Sequence, residues 1–85
     1  MNSYKSFSDF QETFSRGNEV VFSFQGTNYF IIPHWSEKKI IGCDVGIAYS
    51  NTSITLPIEK LGEFIVAGHY LKDVFNQITI LENNF

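Results

Sequence analysis

One stretch, Glu19 to Trp35 (EVVFSFQGTNYFIIPHW), limits what this chain can fold into more than any other. Val20, Phe22 and Phe24 alternate with Val21, Ser23 and Gln25, a period of two that places the first set on one side of a strand. β-Branched and aromatic side chains suit such a half-buried pleated surface. Gln25-Gly26-Thr27-Asn28 follows, and Gly26 can adopt the positive φ of a tight turn. Tyr29 to Ile32 resume the strand, so the stretch reads as a β-hairpin. Either Tyr29 and Ile31 or Phe30 and Ile32 join Val20, Phe22 and Phe24 in the core, because one residue of slip at the turn reverses the faces. Pro33 lacks an amide hydrogen and belongs at a ladder end, a bulge or an edge, which makes the second strand short or bent near Pro33-His34-Trp35.

The flanking segments read as the hairpin's covering. Residues 1–5 form a short disordered start with Tyr4 docking. Ser6 to Phe14 has helical spacing, with Phe7, Phe10 and Phe14 on one face, Ser6 or Ser8 as cap, and Gly17 beyond the end. Lys39 to Val45 is a third strand after a turn at Ser36-Glu37-Lys38. Gly42 and Gly46 in it signal a bulge or the close approach of other backbone. Ile54-Thr55-Leu56 is a short fourth strand. Pro57 then opens a second helix, with Ile58, Leu61 and Ile65 on one face, Gly62 permitting close packing and Gly68 closing it. Leu71 to Ile78 is a third helix, Thr79 to Leu81 a brief strand or tail, and residues 82–85 fray. The expected fold is one α+β domain over residues 1–85. A small antiparallel sheet of three or four strands carries an N-terminal helix and two C-terminal helices.

A chain of 85 residues buries a modest core. Nine Phe, four Tyr and one Trp compensate, each burying roughly 150–250 Å². Aromatics that do not fit inside would mark a contact surface. Net charge is −3 and the cations are scattered, which argues against a phosphate-binding stripe and hence against nucleic acid. Cys43 stands alone, so no intramolecular disulfide forms and a reducing cytoplasm is the expected location. The opening residues lack the apolar core of a signal peptide, and no run has the length of a membrane span.

The order of motifs resembles a group of small uncharacterised proteins from Firmicutes and their phages. Phe7-x-x-Phe10, Gly17-x-Glu19-Val20-x-Phe22 and Gly26-x-x-Tyr29-x-Ile31 carry the first half of that likeness. Pro57-x-Glu59-x-Leu61 and Gly68-x-x-Leu71-Lys72-Asp73-Val74-Phe75 carry the second. Leu56 and Tyr70 depart from the pattern, standing where the group usually offers a Ser or Thr helix cap. The resemblance implies an origin in a Gram-positive bacterium or its mobile elements, and a non-enzymatic domain.

Candidate chemistry is sparse. His34, His69, Cys43 and Asp44 are the best metal ligands available, but none has ligand spacing such as C-x-x-C or H-x-x-x-H, so neither metal nor cofactor is expected. Cys43 with a histidine could make a nucleophile pair, but the favoured reading is a small apolar strand residue, since free cysteine is among the most buried residue types. Glu59 and Glu63, at i and i+4, read as a solvated helix face. Gly42 to Gly46 lacks the Lys-Ser/Thr of a phosphate loop. His34, Trp35, Tyr49, His69 and Tyr70 are the candidate partner-binding residues, and Trp35, Tyr49 and Tyr70 make a docking face if they fall on one side. The expected function is a small intracellular protein-binding module, an inhibitor of the immunity or phage anti-defence type. The alternative is a small-molecule or nucleotide binder with its pocket formed in an oligomer. An unpaired strand edge beside Pro33 or Ile54 offers a route to homodimers.

Overall fold

Ser6 starts the first helix, α1 (Phe7–Ser15): its side-chain oxygen accepts the Asp9 amide hydrogen at 3.1 Å. Gly17, at φ +94°, ends it. The computed structural model describes residues 4–84; the expected disorder of residues 1–3 and fraying of Phe85 lie outside the described residues. Phe10 and Phe14 turn inward from α1 and are fully buried, with Phe7 half-buried beside them.

β1 (Glu19–Phe24) and β2 (Thr27–Ser36) pair antiparallel through a two-residue turn, Gln25-Gly26, both at positive φ. That is the turn whose twist matches a hairpin's own. The register sets Val20 opposite Ile31 and Phe22 opposite Tyr29, so Tyr29 and Ile31 are the core pair. Phe22 and Tyr29 stack with ring centroids 5.4 Å apart. β2 is long rather than short. At Pro33 it pairs with β3 (Lys39–Ile47), through Cys43, after the ladder with β1 has ended at Ile31, and the β2–β3 register shifts between His34 and Trp35. Pro33 thus occupies a ladder end next to a bulge, in a strand that is not an edge of the sheet. At Pro33, beside which a homodimer edge was one expectation, β2 is paired with β3 on one side only.

The sheet has five strands, one or two more than the sequence suggests. Beyond β3 lies β4 (Ile54–Leu56), and on the far side of β1 lies β7 (Thr79–Asn84), giving the order β4-β3-β2-β1-β7. Residues 82–84, expected to fray, pair instead with β1. Tyr4 docks as expected: its ring meets Phe10 edge-on at 5.1 Å and its hydroxyl donates to Asn83 Oδ1 at 3.0 Å. Asn18, fully buried, directs its side-chain amide at Tyr4, Thr13 and Asn83, which clasps α1 and β7 to the start of β1.

The two expected C-terminal helices are replaced by shorter pieces. Ile58–Glu63 is a 3-10 helix. Ile65–Val66 (β5) and His69–Tyr70 (β6) form a small second hairpin, followed by one helical turn, α2 (Leu71–Val74), and a second 3-10 turn, Phe75–Gln77. The reason is local. β-Branched and aromatic residues flank Ala67-Gly68, both at positive φ, a two-residue turn and not a helix end. Farther on, Ile78 turns inward and Thr79 outward, the alternation of a strand. Gly62 does allow close packing, since a Cβ there would sit 3.0 Å from Lys72 Cβ and 3.3 Å from the Phe7 ring.

The third two-residue turn, Glu37-Lys38, also has both residues at positive φ (50° and 68°), with no glycine. A left-handed non-glycine residue costs roughly 1–2 kcal/mol. Lys38→Gly is expected to stabilise the fold by about 0.5–1 kcal/mol once glycine's own entropy is counted. Thermal unfolding of the two proteins checks this.

Candidate functional site: an apolar groove beside the sheet edge

Cover and sheet are unequal in extent. The first 3-10 helix packs against β3, and the β5–β6 hairpin with the residue before it lies over Phe24 of β1 and Tyr29 of β2. Phe64 meets Tyr29 edge-on at 5.8 Å, and the Ala67 amide donates to the Tyr29 hydroxyl at 3.1 Å. The Ile47 end of β3 and the Ile54 end of β4 reach past this cover. Ile54 pairs with Val45 and Ile47 with Tyr29, so both isoleucines stand on the covered face of the sheet. Even so they are 58% and 51% exposed, and Ile65 opposite them on β5 is 53% exposed. Together they edge a groove of about 480 Å³ floored by Tyr29, Val45 and Phe64. The loop residues Thr52 and Ser53 also line it. No lining residue is Asp, Glu, Lys, Arg or His.

Glycines set the walls. A Cβ on Gly46 would lie 2.7 Å from the Thr52 carbonyl oxygen and 3.1 Å from the Phe30 ring. The loop can therefore pass over β3 only because residue 46 has no side chain, and Phe30 lies across the bare backbone from the other strand. Gly42 does the same for the end of β4, with Leu56 O 2.6 Å from where its Cβ would be. Both are the close backbone approaches that the two glycines of this strand suggested.

The opposite, helix-free face of the sheet carries a polar group. His34 Nδ1 donates to the Asp44 carboxylate, 3.1 Å from each oxygen, and Thr55 Oγ1 donates to Asp44 Oδ1 at 2.6 Å. These are cross-strand neighbours on β2, β3 and β4. The Thr55 proton is committed to the carboxylate rather than to the imidazole, so His34 does not activate Thr55 as a nucleophile. Cys43 is on the other face, fully buried, and burial together with the Asp44 charge pushes its thiol up to about 12. It stays protonated at neutral pH and is not paired with His34. Among the described residues no three His, Cys, Asp or Glu side chains gather.

The Thr55 hydrogen bond holds the Asp44 carboxyl below its ordinary value, helped by the His34 hydrogen bond and charge and opposed by partial burial. A carboxyl lowered on folding stabilises the native state above the unfolded value of about 3.9, and that contribution disappears as pH falls through the folded value. Asp44→Asn is therefore expected to be less stable than the native chain at pH 6–7, with the gap closing below about pH 4. Urea unfolding across that range measures it.

The five expected contact residues do not share one face. Trp35 (58% exposed) lies near Gly17 at the β2–β3 hairpin end, with half-buried His34 next to it. Tyr49 (94% exposed) follows β3 at the opposite end of the sheet, since Ile47 pairs with Tyr29 at the start of β2. His69 meets Phe24 edge-on at 6.1 Å near that same end, and the Lys72 ammonium stands 5.5 Å from the Tyr70 ring centre. The docking face built from Trp35, Tyr49 and Tyr70 is thus divided by the length of β2. Reasoning from sequence looked for surplus aromatics and missed Ile47, Ile54 and Ile65. No local signal marks them, because the inward pairing of Ile47 and Ile54 is set by the β2–β3–β4 register.

Fold and groove together define a small α+β domain with a five-stranded antiparallel sheet and an uncharged recess at one edge. No helix among the described residues is long and apolar enough to cross a membrane. No family model, curated protein or solved structure matches the chain.

Proposed function

We propose that this chain is a non-enzymatic protein-binding module that acts by occluding a partner, with the groove at the β4 edge as its principal contact. One observation carries the reading: Ile47, Ile54 and Ile65, each more than half exposed, converge on a single recess beside a strand whose outer edge is unpaired among the described residues. Apolar side chains scattered singly over a surface need no explanation, whereas convergent ones mark a contact. Such a side chain, once desolvated at an interface centre, contributes much of the binding energy. Small size and a net charge of −3 fit an immunity or anti-defence role.

The test is affinity capture from a Gram-positive lysate with the native chain, Ile65→Asp and Trp35→Ala, after circular dichroism has shown all three folded. A stoichiometric partner retained by the native chain and by Trp35→Ala, but lost from Ile65→Asp, is the expected result. Retention by Ile65→Asp would remove the groove from the function. Loss from Trp35→Ala alone would move the contact to the β2–β3 hairpin.

A further inference from the structure

We infer that the groove receives an extended, uncharged apolar segment of a partner polypeptide, laid along the outer edge of β4 with alternate side chains seated against Ile54 and Ile65; this rests on the protein-binding reading above.

Charge makes the first selection. A cationic or anionic side chain entering the groove would lose water and find no counter-charge, because the lining is aliphatic, aromatic and hydroxylic and holds no Asp, Glu, Lys, Arg or His. An unpaired buried charge is strongly disfavoured. The groove therefore discriminates against charged side chains, while the chain's net charge of −3 favours cationic residues flanking the apolar segment outside it.

The strand edge makes the second selection. β4 is the terminal strand of the sheet, so the backbone groups on its outer side are unpaired by any strand among the described residues. Strand addition uses such an edge, main-chain hydrogen bonds giving affinity and pockets for alternate side chains giving specificity. Ile54 stands on the groove side of the sheet and Thr55 on the other, bonded to Asp44. A strand added beyond β4 continues that alternation, and its groove-side residues recur about every 6.6 Å. Size agrees. A recess of about 480 Å³ holds roughly sixteen waters at about 30 Å³ each, more than one aliphatic side chain displaces.

Two synthetic peptides test the inference. One alternates leucine and threonine over seven residues between paired lysines. The other has its leucines replaced by glutamates. They are titrated into the isotopically labelled native chain and into Ile54→Asp, Ile65→Asp and Ile41→Asp. Ile41 is 56% exposed and lies outside the groove, which makes it a control of matched exposure. Expected is saturable one-to-one binding of the leucine peptide, shifts and slowed amide exchange in residues 54–56, at least tenfold weakening by Ile54→Asp and Ile65→Asp, and none by Ile41→Asp. Binding of the glutamate peptide with similar strength, or equal weakening by Ile41→Asp, would overturn it. If the leucine peptide fails while lysate capture still depends on Ile65, strand addition is wrong and the protein-binding reading stands. If neither depends on Ile65, both fall. A native dimer made monomeric by Ile54→Asp would identify a second copy as the occupant and also overturn the inference.

Discussion

Phe10→Ala is expected to destabilise the protein by about 3–5 kcal/mol, the range for removing a fully buried phenylalanine. Phe10 is 0% exposed and central to a ring cluster, with centroids 5.1 Å from Tyr4, 6.0 Å from Phe7, and 5.1 Å from both Phe14 and Phe75. The helix, the N-terminal approach and the second 3-10 turn all lean on that ring. Its removal leaves a cavity between two rings that met it edge-on, Tyr4 and Phe14, and two that met it tilted, Phe7 and Phe75. Set against the roughly 5–15 kcal/mol typical of whole domains, the loss is a large share of the margin. Equilibrium urea unfolding of the native chain, Phe10→Ala and Phe10→Leu measures it. Leucine, which refills part of the space, is expected to cost less.

Gly42→Ala carries the second large effect, and its cause is steric. The new methyl would lie 2.6 Å from the Leu56 carbonyl oxygen and 3.3 Å from the Leu56 carbonyl carbon. These are backbone atoms, so β4 itself must shift. Overpacking of this kind typically costs about 1–3 kcal/mol. The functional loss is expected to be larger than the stability loss, because β4 supplies one wall of the groove and the edge beside it. Gly26→Ala is the informative comparison. Gly26 has φ +82° and nothing within 4 Å of a Cβ, so alanine there meets strain without collision. It is expected to lower stability by about 1 kcal/mol while leaving partner capture intact. Urea unfolding and lysate capture on both variants separate the two causes.

Where backbone chemistry and side-chain period agree, the sequence is informative. α1 has its cap, its phenylalanine stripe and its terminal glycine, and all three stand where the spacing predicts. The Glu19–Trp35 hairpin is equally legible, except that the turn had to choose between Tyr29-Ile31 and Phe30-Ile32 for the core. Gly42 and Gly46 signalled close backbone contact, and both make it. Residues 58–78 were misread because Ile58, Leu61 and Ile65 satisfy a helical period while Ala67-Gly68 satisfies a hairpin turn, and the turn prevails. β7 was legible only as a brief strand or tail at Thr79 to Leu81, and its extension to Asn84 depends on pairing with β1, far away along the chain. The groove was harder still. It arises from the unequal reach of cover and sheet, a property of no single segment. The His34–Asp44–Thr55 group depends on the β2–β3–β4 register, which no local pattern specifies.

The clasp of Asn18 on Asn83 joins positions 65 residues apart, whereas the three tight turns join immediate neighbours in the chain. Kinetics should divide accordingly. Hairpins close in about 1–10 μs, and pairings between distant segments wait on a costlier loop closure. The β1–β2–β3 meander can therefore assemble early, with β7 arriving afterwards as the last strand to zip. Relieving the Glu37-Lys38 turn should then speed folding, while weakening the Asn18 clasp should chiefly speed unfolding. The seam between β1 and β7 would be the first to open in the native protein and would set how long each molecule stays shut.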